Sequence, residues 1–146
     1  MWRLERERYL PGWRSAQVGG RWSSPGKRVL YTSIDPATTI LEVAVHKGFD
    51  VLDTIAHALL QLRISPSAAF VVRPGDVPNP SWLRLSVISP NQQKFGDALL
   101  DQHSLVALPS VVSTHSWNLL INVSNAAGQF ELLSHQRFAL DPRLVA

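Results

Sequence analysis

The chain reads as an α+β protein, a mixed and mostly antiparallel β-sheet with flanking helices, in a single domain over residues 1–146. Three observations point there. Prolines from Pro11 to Pro142 cut the sequence into short segments. Several segments are rich in β-branched, aromatic and alternating apolar residues, as strands are. Two others carry helix start signals or helical spacing.

Trp2-Arg3-Leu4 begins an expected edge strand, and Pro11 to Gly20 reads as a loop. Val29 to Thr32 reads as a strand. Asp35-Pro36 offers an N-cap and a first-turn proline. The helix that follows places Ala37, Ile40, Leu41, Ala44 and Val45 on one apolar stripe, and Gly48 stops it. Glu42 and His46 fall on another face. Ala58 to Ile64 alternates as a strand does, Pro74 to Pro80 is a loop, and Asn91 to Gln102 is a helix behind Pro90. Leu105 to Val112 reads as a strand interrupted at Pro109-Ser110, and Leu119 to Asn122 as a short apolar element. Phe130 to Leu140 makes one or two strands ending near Asp141-Pro142. No internal repeat, low-complexity tract or interdomain linker breaks the chain.

At 146 residues with 45% hydrophobic and 17% charged residues, the chain can bury a core and does not have a disordered composition. There is no apolar run of membrane-spanning length. The arginine-rich start has no apolar stretch of the kind a secretory signal needs. The absence of cysteine rules out disulfides and thiolate metal sites, and a cytoplasmic location is expected. The net charge of +3 is uneven, because residues 1–28 hold Arg3, Arg6, Arg8, Arg14, Arg21, Lys27 and Arg28 against only Glu5 and Glu7. A basic start favours an anionic ligand, though a solvated arginine-rich surface would look the same.

Gly19-Gly20-Arg21-Trp22 sets a forked, permanently charged donor beside flexible backbone. That suits a phosphate, and equally a β-turn with a surface arginine. Tyr31, near a strand end, is placed to stack on a base or bond a ribose, or to fill a core. Glu42 interrupts an apolar helix, where a carboxylate must be solvated, paired or used. A surface pair with His46 four residues on is the plain explanation, and stabilisation of an electron-poor sugar carbon is the functional one. Ser110, behind Pro109 in an apolar strand, needs a hydrogen-bond partner. Ser116 to Asn118 and Asn122 form a second polar island. No G-x-G-x-x-G, Walker A or G-x-S-x-G pattern occurs. The histidines have no metal-ligand spacing, so no metal site is expected.

Taken together these segments resemble the RES-domain toxins, named for an arginine, a glutamate and a serine. The resemblance runs from Trp2-Arg3-Leu4 through residues 19–26, 29–33 and 41–46. It resumes at 108–112 and 117–122 and is weak over about 50–104. The family usually has a glutamate where Ser116 stands, and Asn-Pro-x-His where Asn122-Val123-Ser124-Asn125 stands. The resemblance implies an ADP-ribosyltransferase-like fold with a split mixed sheet, and cleavage of NAD at the nicotinamide–ribose bond. NAD is then a substrate and no cofactor is needed. The resemblance also implies a partner, an Xre-type helix-turn-helix antitoxin covering the active site, with DNA met only through it and no membrane role. The implied catalytic residues are Glu42, Arg21 and Tyr31, with Arg3, Ser110 and Asn118 binding substrate.

The chemistry agrees with one carboxylate. Nicotinamide leaves as a neutral group, so the two-carboxylate arrangement of ordinary glycoside hydrolysis is not required, and a single anion can stabilise the cationic sugar. The acceptor is left open between water, phosphate and a protein side chain, the last making the chain an ADP-ribosyltransferase. Two other classes are an RNA-binding or RNA-cleaving toxin and a catalytically dead binding module. Against RNA, Trp82 and Trp117 lie in nearly neutral surroundings and not along a basic stripe.

Overall fold

A computed structural model describes residues 1–65, 69–82 and 88–145. Their strands are β1 (Trp2–Arg6), β2 (Val29–Ser33), β3 (His57–Ile64), β4 (Phe70–Val71), β5 (Leu105–Pro109), β6 (Trp117–Asn122) and β7 (Phe130–Phe138). They form one sheet in the order β4-β5-β6-β2-β1-β3-β7. Every pairing is antiparallel except β4 with β5. The helices are α1 (Pro36–Lys47), α2 (Phe49–Thr54) and α3 (Pro90–Gln102), and the segment Pro11–Gln17, expected as a loop, winds into 3-10 turns. The fold is α+β, as the sequence predicts. No helix among the described residues is long and apolar enough to cross a membrane.

The sheet is split. β1 pairs with β3 along its whole length, but meets β2 only at Trp2 opposite Ser33. Beyond that point the strands diverge, and the Arg3 side chain fills the gap, its Nη1 donating to the Tyr31 carbonyl at 2.8 Å. The expectation that β1 is an edge strand is therefore wrong, since it lies inside the sheet with Leu4 and Glu5 buried. Arg3 and Glu5 pair with each other at 2.8 Å, which is what makes an interior position tolerable.

Each half of the sheet has its own cover. Val29, Leu108 and Leu120 pack with Trp22, Trp82 and Leu100 under α3. Leu4 and Leu59 pack with Ala44 and Leu52 under α1 and α2. Alternate residues of the same strands face the opposite side, where Leu30 and Ile121 meet Ala16, and Leu60 and Leu62 meet Leu10 and Trp13. α3 comes so close to the sheet's cover that a Cβ at Gly96 would lie 1.9 Å from the Trp22 carbonyl oxygen.

Helix α1 begins as expected. Asp35 Oδ1 accepts from the Thr38 amide at 2.8 Å, and the hydrogen bonds from Thr38 hold the Asp35 carboxyl below its usual range. Gly48, at φ 84°, ends the helix by donating to the Ala44 carbonyl. The apolar stripe holds only in part, at Ile40 and Ala44, which pack with Leu4 and Leu59. Ala37, Leu41 and Val45 face solvent while Thr38, Thr39 and Ala44 are buried. Thr39 Oγ1 donates to the Trp2 carbonyl, and Thr38 Oγ1 hydrogen-bonds with Asp35 and Ser116, so threonines pack by satisfying their hydroxyls. The strand expected to reach Val112 ends at Pro109, and the short element expected at Leu119 begins at Trp117. Phe130 to Phe138 is one strand, largely exposed on the sheet edge.

Candidate active site

The split in the sheet opens a cavity of about 470 Å³ between β1, β2, α1 and the Gly19–Arg21 turn, within the range of small-molecule sites. Arg3, Arg21, Tyr31, Glu42 and Asn118 all line it. Ser110 reaches it through Glu42. A shallower depression of about 350 Å³ lies beyond Thr38, between Ile34, Leu41 and His115.

Glu42 projects from the middle of α1 toward β6. Its Oε1 accepts from Ser110 Oγ at 2.8 Å and from Asn118 Nδ2 at 2.5 Å. Its Oε2 lies 4.0 Å from His46 Nε2, the helical pair expected from the spacing. Both donors are held in turn. Ser110 Oγ accepts from the Ser113 amide at 3.0 Å, in the loop that Pro109 opens by ending β5. Asn118 Oδ1 accepts from Ser33 Oγ at 2.7 Å, which fixes the amide so that its NH₂ faces Glu42. Ser33 thus orients the site at one remove. Nothing local marks this role, because its partner is 85 residues away.

Arg21 is buried and its Nη1 donates to the Trp82 carbonyl at 3.1 Å. Burial holds its guanidinium below the usual arginine value, while the nearby charge of Glu42, and then Tyr31, acts the other way. The turn that carries Arg21 is built for close contact. The Gly20 amide donates to the Ser23 carbonyl at 2.9 Å. A Cβ at Gly20 would lie 2.8 Å from the Tyr31 ring. Gln93 of α3 donates to the carbonyls of Gly20 and Ser23 at 2.9 and 3.2 Å, and Asp97 accepts from the Ser24 amide at 3.1 Å. Gln93 and Asp97 were not expected to support this turn.

The Tyr31 hydroxyl accepts from the Trp22 amide at 3.1 Å and shares a 2.9 Å hydrogen bond with Ser23. Burial pushes the phenol up to about 12, the bond to Ser23 opposing. Its hydroxyl therefore serves the Arg21 turn, and its ring is the part that lines the cavity. Arg3 lines the cavity with its guanidinium engaged by Glu5 (3.1 and 2.8 Å), Ser15 (2.8 Å) and the Tyr31 carbonyl. Glu5 is almost fully buried and also accepts from Ser15 Oγ and the Arg6 amide.

Where the resemblance breaks, local structure is satisfied without the missing residues. Ser116 Oγ donates to Asp35 at 2.8 Å. Residues 123–125 form the turn leaving β6, the Val123 amide donating to the Arg28 carbonyl and the Asn125 amide to that of Asn122. Among the described residues no group of three or more histidines and carboxylates is placed to hold a metal.

A cavity with one carboxylate held by two donors and one buried arginine is suited to stabilising positive charge beside an anionic ligand. Comparison with known proteins fits this geometry. The sequence model of the RES domain family matches residues 1–141. The chain is 26% identical over 147 residues to a protein named Toxin Res from Pseudomonas putida KT2440, covering 99% of this chain and 98% of that one. It is 26% identical over 153 residues to a Toxin Res from Photorhabdus laumondii, covering 99% and 96%. The fold is similar to a chain in the crystal structure of the Mycobacterium tuberculosis MbcT–MbcA toxin–antitoxin complex, with a TM-score of 0.68 at 17% identity over 94% of this chain and 82% of that chain.

Proposed function

The chain belongs to the RES domain family, and on that premise we propose that it is the toxin of a toxin–antitoxin pair and depletes NAD by cleaving the nicotinamide–ribose bond. The observation that carries this reading is the carboxylate of Glu42, held on one oxygen by Ser110 and Asn118 in the cavity that Arg21 also lines. The glycosidic C–N bond breaks with its electron pair going to the pyridinium ring, so nicotinamide leaves neutral and the ribose carbon becomes cationic. Glu42 stabilises that cation. Arg21 opposes the diphosphate, the Tyr31 ring packs against the nicotinamide ribose, and Asn118 and Ser110 keep the carboxylate aimed. Water or inorganic phosphate then bonds to the anomeric carbon and loses a proton, giving a glycohydrolase or a phosphorylase.

Purified chain incubated with NAD, with and without phosphate, releases nicotinamide, and product masses separate hydrolysis from phosphorolysis. Adenine label retained on protein identifies transfer to a side chain instead. Release that persists unchanged in Glu42→Gln removes Glu42 from the chemistry. No release from the unaltered chain, with salt-steep RNA binding, replaces the reading with the RNA class.

The expected partner is an Xre-type helix-turn-helix antitoxin that closes the cleft. Apolar side chains around the opening support this. Val18 (72% exposed) and Ile88 (49%) line the cavity, and Leu41 and Val45 stand one position round α1 from Glu42 and His46. Such a patch marks a contact surface.

A further inference from the structure

Two cations of the cleft have no role in the chemistry above. Arg6 ends β1 and Lys47 ends α1, and both line the cavity. Neither has a carboxylate within ion-pair distance among the described residues. Arg6 Nε is buried with no hydrogen-bond partner. Glu5, next to Arg6 in β1, is already taken by Arg3 and Ser15. Burial, and then repulsion from Arg6, hold the Lys47 ammonium below its usual value, Glu5 opposing and Arg3 adding to the repulsion. The carbonyl end of α1 favours a cation in its last turn, which accounts for Lys47 on its own. It does not account for Arg6, which arrives from a different element and makes the local charge worse. Like charges gathered beside an open cavity favour an anion between them.

We propose that Arg6 and Lys47 form an oxyanion subsite for a phosphoryl group, at the end of the cleft away from the Ser110–Glu42–Asn118 cluster. The proposal rests on the NAD reading above and adds a phosphate position to it. Lys47 follows Glu42 by five residues, about 7.5 Å along a helix axis. In a pyridine dinucleotide one ribose and its 5′ carbon separate the reacting carbon from the diphosphate, a span of the same order. Free inorganic phosphate is the other source of the same chemistry.

The test uses the full chain with Glu42→Gln, so that ligands bind without turnover, and titrates ADP and inorganic phosphate by calorimetry. Adding Arg6→Gln or Lys47→Gln weakens anion binding about tenfold or more, and Arg6→Lys or Lys47→Arg restores most of it. Loss confined to ADP, with KM for NAD raised in the Glu42-intact chain, identifies the dinucleotide diphosphate. Loss confined to phosphate, with a phosphate-dependent rate abolished, identifies the free anion. Affinities for both anions that ignore the two substitutions overturn the subsite, as does the absence of binding by either anion. If the intact chain releases no nicotinamide yet anion affinity still falls in the variants, the NAD reading fails and the subsite stands. Lys47 is the last residue of α1, so Lys47→Gln carries the test if Arg6→Gln does not fold.

Discussion

Glu42 gives one carboxylate oxygen to Ser110 and Asn118 and leaves the other near His46. A glutamine there keeps a side chain of the same shape but removes the negative charge. Glu42→Gln is therefore expected to cut nicotinamide release by about a hundredfold or more with little change in melting temperature, measured side by side on the two proteins. Tyr31 carries a different expectation. Its phenol holds its proton to about 12 in the folded state, against 10.0 for an unperturbed tyrosine. The stabilisation is complete below pH 10 and disappears as pH rises through 12, a difference of about 2–3 kcal/mol. Urea unfolding at several alkaline pH values should show this loss, and Tyr31→Phe should flatten it while being less stable at neutral pH, having lost the bonds to Trp22 and Ser23. A loss of the same steepness in both proteins would assign the alkaline effect elsewhere. Glu42 was legible in the sequence because a lone carboxylate in an apolar helix demands an explanation. Ser33 and Gln93 were not, because a serine in a strand and a glutamine on a helix are ordinary until partners 85 and 73 residues away are brought to them.

Helix α1 shows how an element can be placed rightly and turned wrongly. Its cap, first-turn proline and terminal glycine fix its ends from local chemistry, but its buried face is chosen by what β1 and the Ser110–Ser116 loop offer. They offer a carbonyl and hydroxyls, and Thr38 and Thr39 win over Leu41 and Val45. β3 was readable from side-chain alternation and β2 from its β-branched and aromatic residues, whereas β4, with only Phe70–Val71, is too short to leave a pattern. Leu41→Glu, on the exposed side, is expected to leave nicotinamide release unchanged and weaken antitoxin binding about tenfold or more. Titrating the antitoxin against both proteins checks this, and equal affinity would take the stripe out of the interface. Gly96 belongs to α3. Alanine normally gains about 1 kcal/mol over glycine in a helix, but here its Cβ would meet backbone at 1.9 Å. Gly96→Ala is expected to destabilise by about 1–3 kcal/mol, read from denaturant midpoints. Because α3 also braces the Arg21 turn through Gln93 and Asp97, activity should fall with it.

Across the whole molecule, charge is gathered at the amino-terminal end of the sequence and delivered to the cavity by β1 and the Gly20 turn. The basic bias of residues 1–28 pointed to an anionic ligand, but it did not reveal that Arg3 would be neutralised by Glu5 inside the sheet while Arg6 would not. That distinction depends on where β1 sits, and β1 was expected at an edge. The single residue pair between β1 and β2 has a mechanical consequence. The two half-sheets are tiles meeting at one corner, with the Arg3 guanidinium wedged between them as a prop. A crevice bounded this way can widen or narrow without unzipping either ladder. Arg3→Met is expected to raise amide exchange at the Trp2–Ser33 corner well before the β3–β7 or β5–β6 ladders respond, so that the tiles rock against each other while each stays whole.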